Sequence, residues 1–152
     1  VEEFDLHDFV GRLVEEFRRT AENKGLKLRF SGENTPCFIV ADENKLRQVF
    51  VNLIDNAIKY TKSGEIIVTF KRTDNSAVVE VKDNGAGIAR EELSQLFDKF
   101  LRGAAGKASQ GGSGLGLYLA RKIIEYHKGS MSASSEGVGK GSTFKVALPL
   151  KS

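Results

Sequence analysis

The strongest constraint on the fold is where this chain places its glycines and side-chain amides. Four segments stand out: Asn52-Leu-Ile-Asp-Asn-Ala-Ile-Lys-Tyr60, Asp83-Asn-Gly-Ala-Gly-Ile88, Gly112-Ser-Gly-Leu-Gly-Leu117 and Gly139-Lys-Gly-Ser-Thr-Phe144. The first supplies amide side chains on a helix, the second a carboxylate beside two glycines, the third a glycine-rich helix entry and the fourth a glycine turn into a strand. Between them the patterns are clear. Leu6, Phe9, Val10, Leu13, Phe17 and Ala21 recur at helical spacing after Asp5, a suitable cap, and Gly25 is a stop. Leu26, Leu28 and Phe30 alternate with basic residues as a half-buried strand, and a short apolar strand ends near Ala41. Asp42 caps a second helix, running through about Tyr60, that buries Leu46, Val49, Phe50, Leu53, Ile54 and Ala57.

The second half reads as strands in pairs. Residues 65–72 and 77–83 alternate around Asp74-Asn75-Ser76 and predict a hairpin. A short helix falls within residues 90–100, a third long helix spans about Gly114 to His127, and strands follow near 130–135 and 142–149. Residues 101–113 are small, glycine-rich and poor in anchors, which predicts a mobile loop of functional length. Helices early and strands in pairs imply an α+β layered domain rather than a doubly wound parallel sheet.

Bulk properties exclude several classes. The net charge of +3 is small and its basic residues are scattered, so nucleic acid is not an expected partner. Cys37 is alone, which rules out an intrachain disulfide and fits a reducing, cytoplasmic compartment; within its apolar run it reads as a small buried side chain. No apolar stretch approaches membrane-spanning length, and no direct membrane contact is expected. The chain starts at Val1 and its single methionine is Met131, so it is expected to be a piece of a longer protein.

The chemistry of the four segments converges. Asn52, Asn56 and Lys59 lie at i, i+4 and i+7 and share one helix face. An amide oxygen suits Mg²⁺ alongside phosphate oxygens, and a lysine supplies a point charge for phosphate. Any single Asn there would read as a solvent-facing residue. Asp83 closes a strand before two glycines, where a flat ligand can approach, and an acceptor-only carboxylate can select an exocyclic amino group. Alone, Asp83-Asn-Gly85 is equally the sequence of a plain turn. The glycines at 111–116 open a helix whose first N–H groups lack partners and suit an anion, although a flexible loop without ligand has the same composition. Neither a Walker loop nor a dinucleotide fingerprint fits that spacing. Together the segments read as a purine nucleotide site.

In this order and at these spacings the segments resemble the catalytic, ATP-binding domain of two-component sensor histidine kinases, within the wider group of gyrase-type and mismatch-repair ATPases. The likeness covers essentially the whole chain, residues 1–152, and implies a two-layer α/β sandwich: a mixed, mostly antiparallel sheet covered on one face by three helices. Asn52–Tyr60 resembles the N box, Asp83–Gly87 the first glycine box, Phe97-Asp-Lys-Phe100 the F box, Gly112–Gly116 the second glycine box and Gly139–Phe144 the last. The resemblance implies ATP and Mg²⁺ as ligands, with Asn56 holding the metal and Asn52 assisting. It implies catalytic roles for Asn56, Lys59 and Arg102, and nucleotide contacts from Tyr60, Asp83, Gly87, Ile88, Phe100, Gly114, Leu115, Gly116, Leu117 and Thr143, with residues 101–113 as a lid. Lys107 lies in that lid without a matched position. Phe97 and Phe100 are expected to hinge it.

Hydrolysing relatives carry a glutamate at the position of Asn52. An amide cannot abstract a proton from water, so the site is expected to transfer phosphate rather than hydrolyse ATP. The implied acceptor is a histidine on a separate helical-hairpin domain of the same homodimeric parent, with a response regulator receiver domain downstream. Neither His7 nor His127 fits the acceptor pattern; His7 reads as a helix-surface residue and His127 as a helix-closing one. A stand-alone regulatory module such as an anti-sigma-factor kinase is the alternative of similar length. The turn Ser135–Gly141 is one residue longer than is usual, which leaves the register of Ser142 and Thr143 open.

Overall fold

A computed structural model describes residues 1–93, 95–97 and 115–151. Elements appear in the order β1 (Glu2–Asp5), α1 (Leu6–Asn23), β2 (Leu26–Gly32), β3 (Phe38–Ala41), α2 (Glu43–Tyr60), β4 (Gly64–Arg72), β5 (Ser76–Asp83), α3 (Arg90–Leu93), α4 (Leu115–Tyr126), β6 (Ser130–Ser134) and β7 (Ser142–Pro149).

Five strands form one sheet in the order β2-β4-β5-β7-β6. Only β2 and β4 run parallel; the other pairs are antiparallel, so the sheet is mixed and mostly antiparallel, as expected. The alternation of the strands explains the layering. Leu26 and Leu28, then Ile66, Val68 and Phe70, then Val79 and Val81, and finally Val146 and Leu148 are buried on one side. The intervening Lys27, Arg29, Lys82 and Lys145 are exposed on the other side. Helices α1, α2 and α4 pack on the apolar face. They contribute Leu6, Val10 and Leu13, then Leu46, Phe50, Leu53 and Ile54, and Ala120 and Ile124 to a single core.

Both long N-terminal helices carry their expected caps: Asp5 accepts from the His7 N–H and Asp42 from the Lys45 N–H. Strand β1 was not legible in the sequence. Glu2 and Glu3 are acidic and exposed, so β1 lacks an apolar stripe, and its pairing with β3 is carried by the backbone and by Phe4 against Phe9, 5.3 Å between ring centroids. Cys37 is fully buried, and that burial pushes its thiol pKa up.

His7 lies on the surface of α1, partly buried. Its ring lies 5.2 Å from each of the Phe30 and Phe70 rings, in a groove between α1 and β2. His127 closes α4 as expected and also ties that helix to α2. Its Nδ1 lies 2.8 Å from the Ile123 carbonyl, and its Nε2 accepts from the Asp42 N–H at 3.1 Å. That pattern is satisfied by the neutral tautomer with its proton on Nδ1.

Candidate functional site

The polar face of α2 forms one wall of the site. Asn56 Nδ2 donates to Asn52 Oδ1 at 3.3 Å. This bond uses the Asn56 NH₂ group and leaves its carbonyl oxygen for an acceptor role. Lys59 is half-exposed and pairs with Asp55 at 3.1 Å. An exposed i,i+4 pair of this kind contributes only about 0.3–0.5 kcal/mol, so an incoming phosphate can displace it. The sequence reading overlooked Asp55. At the C-terminus of α2, Lys24 Nζ donates to the carbonyls of Ile58 and Lys59, which anchors the helix end beside Tyr60.

The floor is built at the end of β5. Asp83 is only 6% exposed. Its Oδ1 accepts from the Gly85 N–H at 2.8 Å and its Oδ2 from the Ser142 hydroxyl at 2.9 Å. A carboxylate has about four acceptor positions, so two remain for a ligand or neighbour. The register resolves the question left by the long turn. Asp83 pairs with Ser142, and Lys82 with Thr143. Because faces alternate along a strand, Thr143 lies on the open face of the sheet with Lys82, away from Asp83. Ser142 is the hydroxyl that meets Asp83, and Thr143 is turned away from that carboxylate.

Two glycine turns lock together below that carboxylate. The Gly139 N–H donates to the Ala86 carbonyl at 2.7 Å, and the Ala86 N–H to the Tyr60 carbonyl at 3.1 Å. Gly87 has φ +74°, and a Cβ there would lie 2.1 Å from the Gly137 carbonyl oxygen, so no other residue fits. Ser135, which the sequence reading did not single out, joins both turns. Its Oγ donates to the Gly141 carbonyl at 2.6 Å and accepts from the Ile88 and Gly137 N–H groups at 3.0 and 3.2 Å.

Helix α4 lies directly against α2 at the amide pair. A Cβ on Gly116 would lie 2.4 Å from Asn52 Nδ2, so glycine is what lets this helix lie against α2 at the amide pair. Leu117 is 6% exposed and packs in the core; only its backbone can meet a ligand. Leu115 begins the helix and presents one of its first N–H groups. Phe97 packs edge-on against Phe144 at 6.4 Å, with the Arg121 guanidinium 4.7 Å from its ring centroid. The expected roles of Phe100, Arg102, Lys107, Gly114 and the loop 101–113 fall outside the described residues.

A Gly116→Ala substitution tests this contact of α4 with α2. The atom it meets ends a side chain rather than belonging to backbone, so we expect Asn52 to turn away and its bond with Asn56 to break while the fold survives. Loss of that bond is worth about 1 kcal/mol, or roughly fivefold in nucleotide affinity. Calorimetry alongside thermal unfolding should show weaker Mg-ATP binding at a nearly unchanged Tm. Unchanged affinity would mean that the amide pair is structural.

A buried carboxylate above two locked glycine turns, together with an amide pair on a helix of the same domain, is the arrangement expected of an ATP-binding domain of the histidine-kinase class. Residues 41–152 match the pattern of the histidine kinase-, DNA gyrase B- and HSP90-like ATPases, and the chain belongs to that family. It is homologous to sensor kinases. Sensor protein SrrB of Staphylococcus aureus is 41% identical over 135 residues, covering 88% of this chain but 23% of that protein, so the chain spans about a quarter of this relative's length. The catalytic domain of histidine kinase ThkA, in a nucleotide-free form, superposes with a TM-score of 0.84 at 27% identity, covering 97% of this chain and 95% of that domain. Full-length ShkA in complex with AMPPNP also reaches 0.84, at 26% identity, covering 97% of this chain and 30% of that one.

Proposed function

We propose that this domain binds Mg-ATP beside the polar face of α2, the start of α4 and the end of β5, and presents the γ-phosphate to a histidine on a separate helical-hairpin domain. The phosphorylated hairpin would then serve a response regulator receiver domain in two-component signalling. The observation that carries this reading is Asp83, a buried carboxylate held by Gly85 and Ser142 with acceptor capacity to spare. An adenine amino group fills that capacity, whereas the guanine carbonyl at the same place meets a second acceptor and is repelled.

The remaining residues take roles by chemistry. The Asn56 carbonyl oxygen is a hard, neutral donor of the kind Mg²⁺ accepts when phosphate oxygens complete its shell. Among the described residues no cluster of three or more His, Cys, Asp or Glu side chains stands ready to hold a metal, which fits an ion that arrives with the nucleotide. When bound, that ion would neutralise charge on the transferring phosphoryl group. Asn52 orients Asn56 and offers water no base. Lys59, released from Asp55, supplies charge to the phosphates, and the N–H groups that open α4 at Leu115, Gly116 and Leu117 donate to them at the positive end of the helix, with Gly114 keeping the contact that the sequence implies. Tyr60, Gly87 and Ile88 would line the base, while Phe100 and Arg102 keep the contacts that the sequence implies. ATP and a reduced Cys37 suit the cytoplasm, where we put the domain.

Incubating the domain with γ-labelled ATP, Mg²⁺ and the hairpin domain of its own parent should give acid-labile label on the hairpin histidine. The domain alone should stay unlabelled. No label on the hairpin under these conditions would overturn the assignment, and label on His7 would overturn the reading of the acceptor as a separate domain.

A further inference from the structure

Thr61 carries a feature that neither the fold nor the proposed function accounts for. It ends α2 immediately after Tyr60, in extended conformation, and is fully buried. Its Oγ1 is the one buried side-chain polar atom among the described residues with no hydrogen-bond partner. Leaving a buried hydroxyl unpaired is costly, and native structures keep few such groups. This one lies in the site. The position that a Gly85 side chain would take is 2.9 Å from Thr61 Oγ1, 3.0 Å from Asp83 Oδ1 and 2.4 Å from the Tyr60 carbonyl. The hydroxyl and the carboxylate therefore converge on the same face of Gly85.

We propose that Thr61 is a positioning residue for Asp83, its hydroxyl hydrogen-bonding Asp83 Oδ1 in the nucleotide-bound state. This rests on the reading of Asp83 as the adenine acceptor. The accounting then closes: of the carboxylate's four acceptor positions, Gly85 and Ser142 fill two, the base amino group takes a third and Thr61 the fourth. The mechanical link is short. Thr61 adjoins Tyr60, whose carbonyl already holds the Ala86 N–H, so settling of Tyr60 on the base carries Thr61 toward the carboxylate. In the free protein the hydroxyl is a liability, and in the complex it fixes the group that reads adenine.

Opposite signs make the test sharp. Thr61→Val keeps the shape and removes the hydroxyl. Thermal unfolding without nucleotide should rise by at least about 2 °C, because an unpaired buried group is gone. ATP affinity by calorimetry should fall about tenfold, the worth of one hydrogen bond to a charged group. Thr61→Ser should behave as wild type in both. A purely structural threonine would lower Tm when replaced and leave affinity unchanged; either result, or failure of Thr61→Val to fold, overturns the proposal. Asp83→Ala separates the two levels. If it abolishes binding while Thr61→Val binds normally, the adenine reading stands and the role of Thr61 is wrong. If the wild-type domain binds no ATP, both are wrong.

Discussion

Replacing Asp83 with alanine is expected to lower the affinity for ATP and ADP at least tenfold. The carboxylate is 6% exposed, so its bond to an adenine amino group forms away from competing water. Hydrogen bonds to charged groups are worth about 1.5–3 kcal/mol, and each 1.4 kcal/mol is a factor of ten. The change also strands two donors, the Gly85 N–H and the Ser142 hydroxyl, so some loss of Tm should accompany it. Asp83→Asn separates reading from scaffolding. It keeps the volume and one acceptor oxygen but sets an NH₂ group where a second acceptor stood. Discrimination against GTP should shrink even where stability is largely retained. Calorimetry with ATP and GTP on both variants checks this; full ATP affinity in Asp83→Ala would exclude the carboxylate from base recognition.

Much of the site was legible because its parts obey local rules. Asn52, Asn56 and Lys59 share a face by helical arithmetic alone, and the structure brings the two amides into contact. Asp83 was legible from the two glycines that follow it at a strand end and from the resemblance, and the structure adds that it shares the buried face of Ala77, Val79 and Val81. Two features were hidden for the same reason, since they depend on which strand lies beside which. Telling Ser142 from Thr143 as the hydroxyl that meets Asp83 required the β5–β7 register, since a shift of one residue carries every side chain to the other face. Ser135 acts through three backbone partners at Gly141, Ile88 and Gly137, and no spacing rule in the chain announces them. Gly116 was legible as a glycine, but its closeness to Asn52 is a helix–helix contact, visible only once α2 and α4 are packed. Strand β1 stayed hidden because its stability comes from pairing with β3 rather than from its own acidic sequence.

Asn56→Ala is expected to have the largest effect on phosphotransfer. Alanine removes both the carbonyl oxygen available to a cation and the NH₂ group that holds Asn52, so the amide pair is lost at once. The base is read elsewhere, at Asp83, so nucleotide is still recognised. The two contributions therefore separate by metal dependence. In the absence of Mg²⁺ the variant and the wild type should bind ADP alike, within about twofold, because the base contact carries that affinity. With Mg²⁺ and a hairpin acceptor supplied, the rate of phosphotransfer should fall by about 10²–10³, the range seen when one electrostatic stabiliser of a transition state is removed. A matching drop in metal-free ADP binding would instead indicate collapse of the α2 wall, and thermal unfolding would show it. Asn52→Ala should be milder, since Asn52 acts on the metal position only through Asn56. A variant at Asn56 that transfers phosphate at the wild-type rate would remove the amide from the metal site and leave Asp55 and Lys59 as the groups to examine.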